Sequence, residues 1–140
     1  NMVITSTGAG TAVAKAIPSL KDKLTANAVR VPTPNGSLAI MNLTLKKPIA
    51  DVAAMNDMIR NAALNGELVN QIHYQVDPEL VSSDIIGDTC CSVFDSNATI
   101  VAPDGKSVVL YTWYDNEFGY TKQVIRLAKH VAKVRRLIYY

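Results

Sequence analysis

The chain has 140 residues and a formal net charge of +2 at pH 7, with 49% hydrophobic and 19% charged residues. This length suits one domain with a hydrophobic core, and this composition argues against an intrinsically disordered chain. The small net charge gives no general reason to expect a nucleic-acid or membrane partner. No apolar run in the sequence is long enough to cross a bilayer.

The two cysteines predict a reducing compartment. Cys90 and Cys91 are adjacent, and adjacent cysteines rarely bridge each other because the geometry is strained. Since no spaced cysteine pairs exist, we expect a cytoplasmic protein. The chain opens with an apolar run at residues 1–5 and without an initiator methionine at position 1, so we expect it to be a fragment of a longer protein.

A small, polar segment opens the first predicted helix. Residues 6–11 read Ser-Thr-Gly-Ala-Gly-Thr, and residues 12–17 predict a short helix that Pro18 ends. The hydroxyl side chains of this segment can cap the helix, which is the ordinary role of such residues. A glycine-containing loop that opens a helix also presents free N–H groups that suit a phosphate. The residues alone leave both interpretations open.

Two strands and a turn are predicted next. Residues 24–31 form a strand that carries Arg30, and residues 37–47 form a strand with apolar residues at alternate positions. Asn35-Gly36 is a strong turn signal, so we expect an antiparallel hairpin. An arginine in an apolar strand needs an anion or a wet environment. An ion pair or an exposed edge position would satisfy it, and so would a role as a phosphate or carboxylate clamp.

The middle of the chain predicts one helix and several short strands. The helix covers residues 52–64, with Asp51 as its N-cap and Asn65-Gly66 at its end. Strands are predicted over residues 68–74, 81–86 and 92–101, and a hairpin turn at residues 103–106 leads into a last strand over residues 107–113.

The last predicted helix covers residues 117–136 and has two distinct faces. Its apolar stripe consists of Tyr120, Val124, Leu127, Ala128, Val131 and Val134. Its basic residues are Lys122, Arg126, Lys129, Lys133, Arg135 and Arg136. These cations fit a solvated face that complements the helix dipole, and an electropositive binding patch is the alternative. Asn116 sits at or next to the N-cap, where its amide can either cap the helix or bind a polar ligand group.

The order of elements predicts an α+β fold. We expect a largely antiparallel mixed sheet with helices packed on one face, because most strand separations are too short for parallel crossovers. No Gly-x-Gly-x-x-Gly dinucleotide fingerprint occurs. His73 has no second histidine or acid at metal-ligand spacing, which predicts a structural or surface residue rather than a metal ligand. Cys90 and Cys91 lack a neighbouring histidine or helix N-terminus in sequence, so neither is predicted to be a nucleophile.

Three motifs resemble the catalytic domain of phosphorylating glyceraldehyde-3-phosphate dehydrogenase. They are Ser-Thr-Gly-Ala at residues 6–9, Arg-Val-Pro-Thr-Pro-Asn at residues 30–35 and Trp-Tyr-Asp-Asn-Glu-Phe-Gly-Tyr at residues 113–120. Their order and separation also match, and the resemblance covers essentially the whole chain. It implies that residues 1–140 form a single, incomplete C-terminal catalytic domain whose Rossmann domain is absent from this chain.

The resemblance also implies a function and site residues. The family oxidises glyceraldehyde 3-phosphate with NAD and inorganic phosphate to 1,3-bisphosphoglycerate, a step of glycolysis and gluconeogenesis, through a cysteine thioester. By resemblance, Thr7 and Gly8 contribute to the inorganic phosphate site, and Arg30 contacts phosphate. Asn116 hydrogen-bonds the nicotinamide carboxamide, and Tyr120 packs beside the nicotinamide. The family is a homotetramer, so a homo-oligomer is expected.

The departures from the family pattern limit what this chain does alone. The family's nucleophilic cysteine, in a Ser-Cys-Thr-Thr-Asn motif, and its histidine base lie upstream of Asn1. No catalytic residue is therefore expected in this chain, which should be inactive by itself, and NAD or NADP would be bound mainly by the missing domain. Cys90 and Cys91 stand where the family often has His-Ser, and Asn42 stands where it often has aspartate.

Two other functions remain open from the sequence. Erythrose-4-phosphate dehydrogenase is a sister family that shares the same motifs. A non-enzymatic protein- or RNA-binding module would instead use the basic C-terminal helix and an exposed sheet face. No strand interleaves aromatic and basic residues as RNA-binding sheets do, so no nucleic-acid partner is expected.

Overall fold

The computed structural model describes residues 1–134, which divide into two compact units that meet in sequence between Pro34 and Asn35. The first unit contains β1 (Val3–Ser6), α1 (Ala9–Ala16), a 3₁₀ turn (Pro18–Leu20) and β2 (Asn27–Arg30). The second contains β3 (Ser37–Thr44), α2 (Val52–Leu64), β4 (Ile72–Gln75), β5 (Ser92–Asp95), β6 (Ile100–Val101), β7 (Ser107–Tyr114) and α3 (Phe118–Val131). That residues 1–140 form one domain remains a prediction.

The first unit is a two-stranded antiparallel ribbon with a helix between its strands. Val3 lies opposite Arg30, and Ser6 lies opposite Asn27. The helix begins three residues earlier than predicted because Gly8, rather than a hydroxyl residue, is its N-cap. β1 ends at Ser6, where the Ser-Thr-Gly segment begins, and its antiparallel pairing with β2 excludes a βαβ unit.

The predicted hairpin between residues 24–31 and 37–47 is wrong. β2 pairs with β1, whereas β3 pairs along its whole length with β7. Pro32 and Pro34 stand where the first cross-strand pairs of such a hairpin would form, and proline has no N–H to donate to them. Eight cross-strand pairs with β7 are available to β3 instead.

The second unit is built on one mixed sheet with the strand order β3-β7-β5-β4, and β6 pairs on β7. β4 and β5 are parallel, while the other pairings in this sheet are antiparallel. The predicted α+β class with a largely antiparallel mixed sheet is therefore confirmed. The described residues, 1–134, contain no Rossmann domain.

Helix α2 packs on this sheet and closes the core. Its bounds and its cap are as predicted: Asp51 Oδ1 accepts a hydrogen bond from the Ala54 backbone N–H at 2.8 Å. Met55 projects from α2 into the hydrophobic cluster. The other buried members of that cluster are Phe94, Val108 and Leu110. The helical spacing of apolar residues thus identified the packed face of α2 correctly.

Two of the predicted strands, over residues 81–86 and 92–101, contain 3₁₀ turns. Their β-branched residues favour a strand, and the turns were therefore not predicted. Residues 81–86 form no strand, because Ser82–Ile85 is a 3₁₀ turn in which the Asp84 carboxylate accepts from the Val81 N–H at 2.9 Å. Residues 92–101 are interrupted at Ser96–Ala98. Ser and Asp side chains bond to nearby backbone groups and so favour turns over strands at both places.

The hairpin that joins β6 to β7 is confirmed. Gly105 has a φ of 65°, and Asp104 Oδ1 accepts from the backbone N–H groups of Lys106 and Ser107, each at 2.8 Å. A Cβ at Gly105 would lie 2.5 Å from the Ile49 carbonyl oxygen. Only glycine fits both this backbone conformation and this contact.

Helix α3 ends earlier than predicted, and its apolar stripe is exposed. It covers Phe118–Val131, and residues 135 and 136 of the predicted helix lie outside the described residues. Tyr120 is 71% exposed, Leu127 62% and Val131 73%. None of the helices described within residues 1–134 is long and apolar enough to cross a membrane.

Candidate functional site

The junction between β7 and α3 is organised by one buried carboxylate. Asp115 is only 3% exposed, and its Oδ1 accepts from the N–H groups of Glu117 and Phe118 at 2.7 and 2.8 Å. Its Oδ2 accepts from the Gly87 N–H at 2.7 Å. Hydrogen bonds from Gly87, Phe118 and the Asn35 side chain hold the pKa of this carboxyl well below its usual range. The loop after β7 is therefore fixed from several sides.

Asn116 is held by a side chain from the neighbouring strand. Ser37, the first residue of β3, donates from Oγ to Asn116 Oδ1 at 2.8 Å. Asn116 lies next to the N-cap Glu117, as predicted. Of its two possible roles, capping is not observed, because Asp115 accepts from the free N–H groups of the first turn. The exposed Asn116 amide keeps its Nδ2 hydrogens for another acceptor.

Tyr120 follows Asn116 by four residues, in the first turn of α3. Its ring is 71% exposed, so it is available as a surface against which a planar ligand can pack. Both residues that the resemblance assigns to nicotinamide are thus brought to one exposed junction of the second unit. Gly119, between them, is buried and lets the first helical turn approach the Cys90 carbonyl closely.

The phosphate residues of the resemblance lie in the first unit. Thr7 Oγ1 accepts from the Ala9 N–H at 3.2 Å, which leaves its own hydroxyl hydrogen free to donate. Gly8 is the N-cap of α1 with φ −81°, a conformation open to any residue. The N–H groups of Gly10 and Thr11 belong to the first turn and have no helical acceptor. This end of α1 therefore presents several donors.

Arg30 lies at the end of β2 with its guanidinium exposed. Its Nε donates to Thr5 Oγ1 at 3.2 Å, across the ribbon from β1. Within residues 1–134 it forms no ion pair, so the internal ion pair considered from the sequence is not formed there. Its Nη groups remain able to bind an oxyanion in two-point fashion.

A further polar group of the second unit joins β4 to the loop before β5. His73 Nδ1 lies 2.7 Å from Asp88 Oδ2, and Asp88 Oδ1 accepts from the Cys90 N–H at 2.7 Å. Burial and the nearby Asp88 carboxylate raise the pKa of the Cys90 thiol, which keeps this thiol protonated and slows its reaction as a nucleophile. Within the described part of the chain, no three side chains are grouped to hold a metal ion.

Sequence reasoning missed Ser37, Asp88 and Asp115. An aspartate two and three residues before two free helical N–H groups is an ordinary capping pattern, so Asp115 could have been recognised. Ser37 could not, because its partner Asn116 is 79 residues away in the chain. The pairing of His73 with Asp88 likewise depends on the parallel alignment of β4 and β5.

Comparison with known proteins gives one consistent family. A family model described as "Glyceraldehyde 3-phosphate dehydrogenase, C-terminal domain" matches residues 1–116. The chain is 50% identical over 134 residues to the "Glyceraldehyde-3-phosphate dehydrogenase-like protein" of Pseudomonas aeruginosa (strain UCBPP-PA14), which covers 96% of this chain and 28% of that protein.

Two further relatives carry the dehydrogenase name. Identity is 40% over 133 residues to "Glyceraldehyde-3-phosphate dehydrogenase" of Borreliella burgdorferi, covering 95% of this chain and 39% of that protein. It is 42% over 136 residues to "Glyceraldehyde-3-phosphate dehydrogenase A" of Escherichia coli (strain K12), with coverages of 95% and 39%. The chain spans less than two fifths of the length of these relatives. It belongs to the glyceraldehyde 3-phosphate dehydrogenase family and carries the C-terminal domain of that family.

Proposed function

We propose that this chain is part of a phosphorylating aldehyde dehydrogenase that oxidises glyceraldehyde 3-phosphate with NAD and inorganic phosphate. The family match and the relatives' printed names support this proposal. The parent protein would be a cytoplasmic homo-oligomer of glycolysis, and the chain alone would be inactive. The proposal covers NAD and NADP alike. The choice between them depends on the residues that hold the adenosine half of the cofactor.

The geometry of Asn116 is the observation that carries the proposal. Its carbonyl oxygen is occupied by Ser37 at 2.8 Å, so the group that faces outward is the amide donor. A donor of this kind matches the carbonyl oxygen of a nicotinamide carboxamide. When bound, the nicotinamide ring supplies the hydride acceptor of the reaction. Asn116 would orient that ring, and the exposed ring of Tyr120 would pack beside it.

The first unit would supply the anion-binding groups. Arg30 would clamp phosphate oxygens with its free guanidinium nitrogens, since a planar guanidinium matches two oxygens at once. The Thr7 hydroxyl and the free N–H groups at the start of α1 would donate to the attacking inorganic phosphate. The space in front of Gly8 is open, so a phosphate could reach the backbone N–H groups there.

The test is activity of the longer gene product that contains this chain. We expect NADH formation that requires both glyceraldehyde 3-phosphate and inorganic phosphate, while the 140-residue chain alone gives none at any concentration. Erythrose 4-phosphate is the competing substrate in the same assay, and a higher kcat/KM for it would transfer the assignment to the sister family. Activity of the 140-residue chain would overturn the proposal that its site is incomplete.

Arg30 can be tested in the same longer protein. Arg30→Ala should raise KM for inorganic phosphate and for the aldehyde by about tenfold or more, because a charge-assisted hydrogen-bond pair contributes roughly 1.5–3 kcal/mol. Arg60→Ala is the matched control, since Arg60 is an exposed arginine on α2. Equal effects of the two substitutions, or no effect of either, would remove Arg30 from the phosphate site.

A further inference from the structure

The adjacent cysteines of the second unit are free thiols that have no role in the proposed dehydrogenase reaction. Cys91 is exposed, and Cys90 is half-buried. Both lie in the bend that leads from the Gly87 turn into β5. The Cys91 Sγ donates to the Gln71 carbonyl oxygen at 3.4 Å, a weak bond that is readily exchanged for another partner. The Cys91 thiol is therefore accessible to solvent, and the Cys90 thiol is carried by the preceding residue.

The peptide that joins these cysteines is fixed on its N-terminal side. Asp88 Oδ1 accepts from the Cys90 N–H at 2.7 Å. The other oxygen of the same carboxylate lies 2.7 Å from His73 Nδ1, on β4. The segment before the bend is therefore tied to the sheet through Asp88.

The same peptide supports the start of α3. A Cβ on Gly119 would lie 2.6 Å from the Cys90 carbonyl oxygen and 3.4 Å from Cys91 Cα, so the two backbones are in direct contact. One turn later, Gln123 Nε2 donates to the carbonyl oxygens of Asn70 and Thr89 at 2.8 and 3.3 Å. The first two turns of α3 therefore rest on the segment that carries the cysteines.

We propose that Cys90 and Cys91 form a thiol-modification site at which a low-molecular-weight disulfide, such as glutathione disulfide, closes a vicinal disulfide that displaces the first turn of α3. The exposed Cys91 loses its proton to solvent and its sulfur attacks glutathione disulfide, whose S–S bond breaks and releases one glutathione thiolate. Cys90 then loses its proton and attacks the Cys91 sulfur, which releases the second glutathione thiolate. Two protein thiols are oxidised, and one glutathione disulfide is reduced to two glutathiones.

The order of these steps follows from the surroundings of the two sulfurs. Exposure makes Cys91 the sulfur that a soluble disulfide can reach. Burial and the Asp88 carboxylate raise the pKa of Cys90, so it stays protonated longer and acts second. A thiol placed next to an exposed partner in this way is the usual arrangement of a resolving cysteine.

Ring closure must distort the peptide between the two residues. Consecutive Cα atoms are about 3.8 Å apart across an ordinary peptide, which is shorter than the roughly 4.4–6.8 Å that disulfides normally span. The distortion moves the Cys90 carbonyl, and Gly119 has no free space to absorb that movement. The start of α3 must therefore shift, and the strained bond must be easily reduced again.

The experiment treats the 140-residue chain with glutathione disulfide and combines intact-mass measurement with amide hydrogen exchange. We expect a mass lower by two hydrogens and without added glutathione, reversed by dithiothreitol. Exchange should rise about tenfold or more at residues 118–123, while the middle of α2 keeps its protection because Met55 is buried in the hydrophobic cluster.

Single substitutions provide the controls. Cys90→Ser should retain glutathione on Cys91 as a stable mixed disulfide, and Cys91→Ser should leave the chain unmodified. Neither variant should show increased exchange at residues 118–123. A stable mixed disulfide in the unsubstituted chain, a disulfide between two chains, no reaction, or a closed ring with unchanged exchange would each overturn the proposal.

Discussion

One carboxylate, Asp115, joins three segments of the second unit. It accepts from Gly87 in the loop before β5 and from Glu117 and Phe118 at the start of α3, and Asn35 bonds to it from the segment before β3. Each of these donors would lose its acceptor if the carboxylate were removed, and protonation would weaken these bonds because one oxygen becomes a hydroxyl. An unsatisfied buried donor costs roughly 1–3 kcal/mol, so this side chain bears a large part of the junction's stability.

Asp115→Asn should therefore destabilise the chain by about 2 kcal/mol at pH 7, because an amide cannot accept from Gly87 and from α3 at the same time. The folded pKa of Asp115 lies below the ordinary value of 3.8, so its stabilisation is complete above that value and is lost as the pH falls. Below pH 3.8 the loss amounts to roughly 1.4 kcal/mol per pH unit. Urea unfolding at pH 7, 4 and 2.5 measures the unfolding free energy of the native chain and of Asp115→Asn. The difference between the two free energies should be smallest at pH 2.5. A constant difference would contradict the assignment.

Ser37 gives a second prediction at this scale, which depends on the proposed function. Ser37→Ala removes the bond to Asn116 Oδ1 and frees the amide to rotate, so KM for NAD in the longer protein should rise about fivefold, the equivalent of one hydrogen bond of roughly 1 kcal/mol. Ser37→Thr keeps the hydroxyl and is the control. Steady-state kinetics with varied NAD concentration measure this KM. Equal KM values for the Ala and Thr variants would contradict the role of the Ser37 hydroxyl.

The residues of this site differ in how far the sequence could predict them. Asn116 was recognised as an amide at a strand–helix junction, and Arg30 as a cation in an apolar strand. Their surroundings were not predictable, because Ser37 reaches Asn116 only through the pairing of β3 with β7, and Thr5 reaches Arg30 through the pairing of β1 with β2. The sequence predicts the side chains that could bind a ligand, whereas their hydrogen-bond partners depend on which strands pair.

At the scale of elements, local signals and long-range pairing had opposite outcomes. Helix α2 was predicted with the bounds Val52–Leu64, because its period, its Asp51 cap and the following Asn-Gly are all local. The hairpin of β6 and β7 was predicted for the same reason. The predicted partner of β3 is wrong, because the Asn-Gly turn signal does not show whether the segment before it can donate hydrogen bonds. Pro32 and Pro34 lie in that segment and have no N–H to donate.

The seating of α3 is the element-scale feature most open to test. Gly119→Ala would place a Cβ 2.6 Å from the Cys90 carbonyl oxygen, which is backbone and cannot rotate away. We expect a loss of about 2 kcal/mol in unfolding free energy, in the range of overpacking at a close contact. Gly10→Ala is the control, because a Cβ at this helical position meets Ala26 and Leu24 only at the ordinary distances of 3.6 and 3.7 Å. Chemical denaturation that ranks the two variants equally would show that α3 does not rest on this peptide.

At the scale of the whole molecule, exposed apolar surface is the dominant feature of α3. The stripe predicted from the sequence exists, but its residues contact solvent rather than the core of the second unit. Val124, Leu127 and Val131 are 45%, 62% and 73% exposed. Contiguous apolar surface of this kind is uncommon on monomers and marks a surface that another protein segment or copy covers.

We therefore expect the 140-residue chain to self-associate at micromolar concentration, because burial of this stripe removes apolar surface from water at roughly 25 cal/mol per Å². The double variant Leu127→Lys, Val131→Lys should shift sedimentation towards the monomer, since charges on the stripe oppose its burial. Val76→Lys is the control: Val76 is 64% exposed but lies in the loop after β4, away from the stripe. If both variants sediment like the unsubstituted chain, association does not use α3 and the sheet becomes the surface to test.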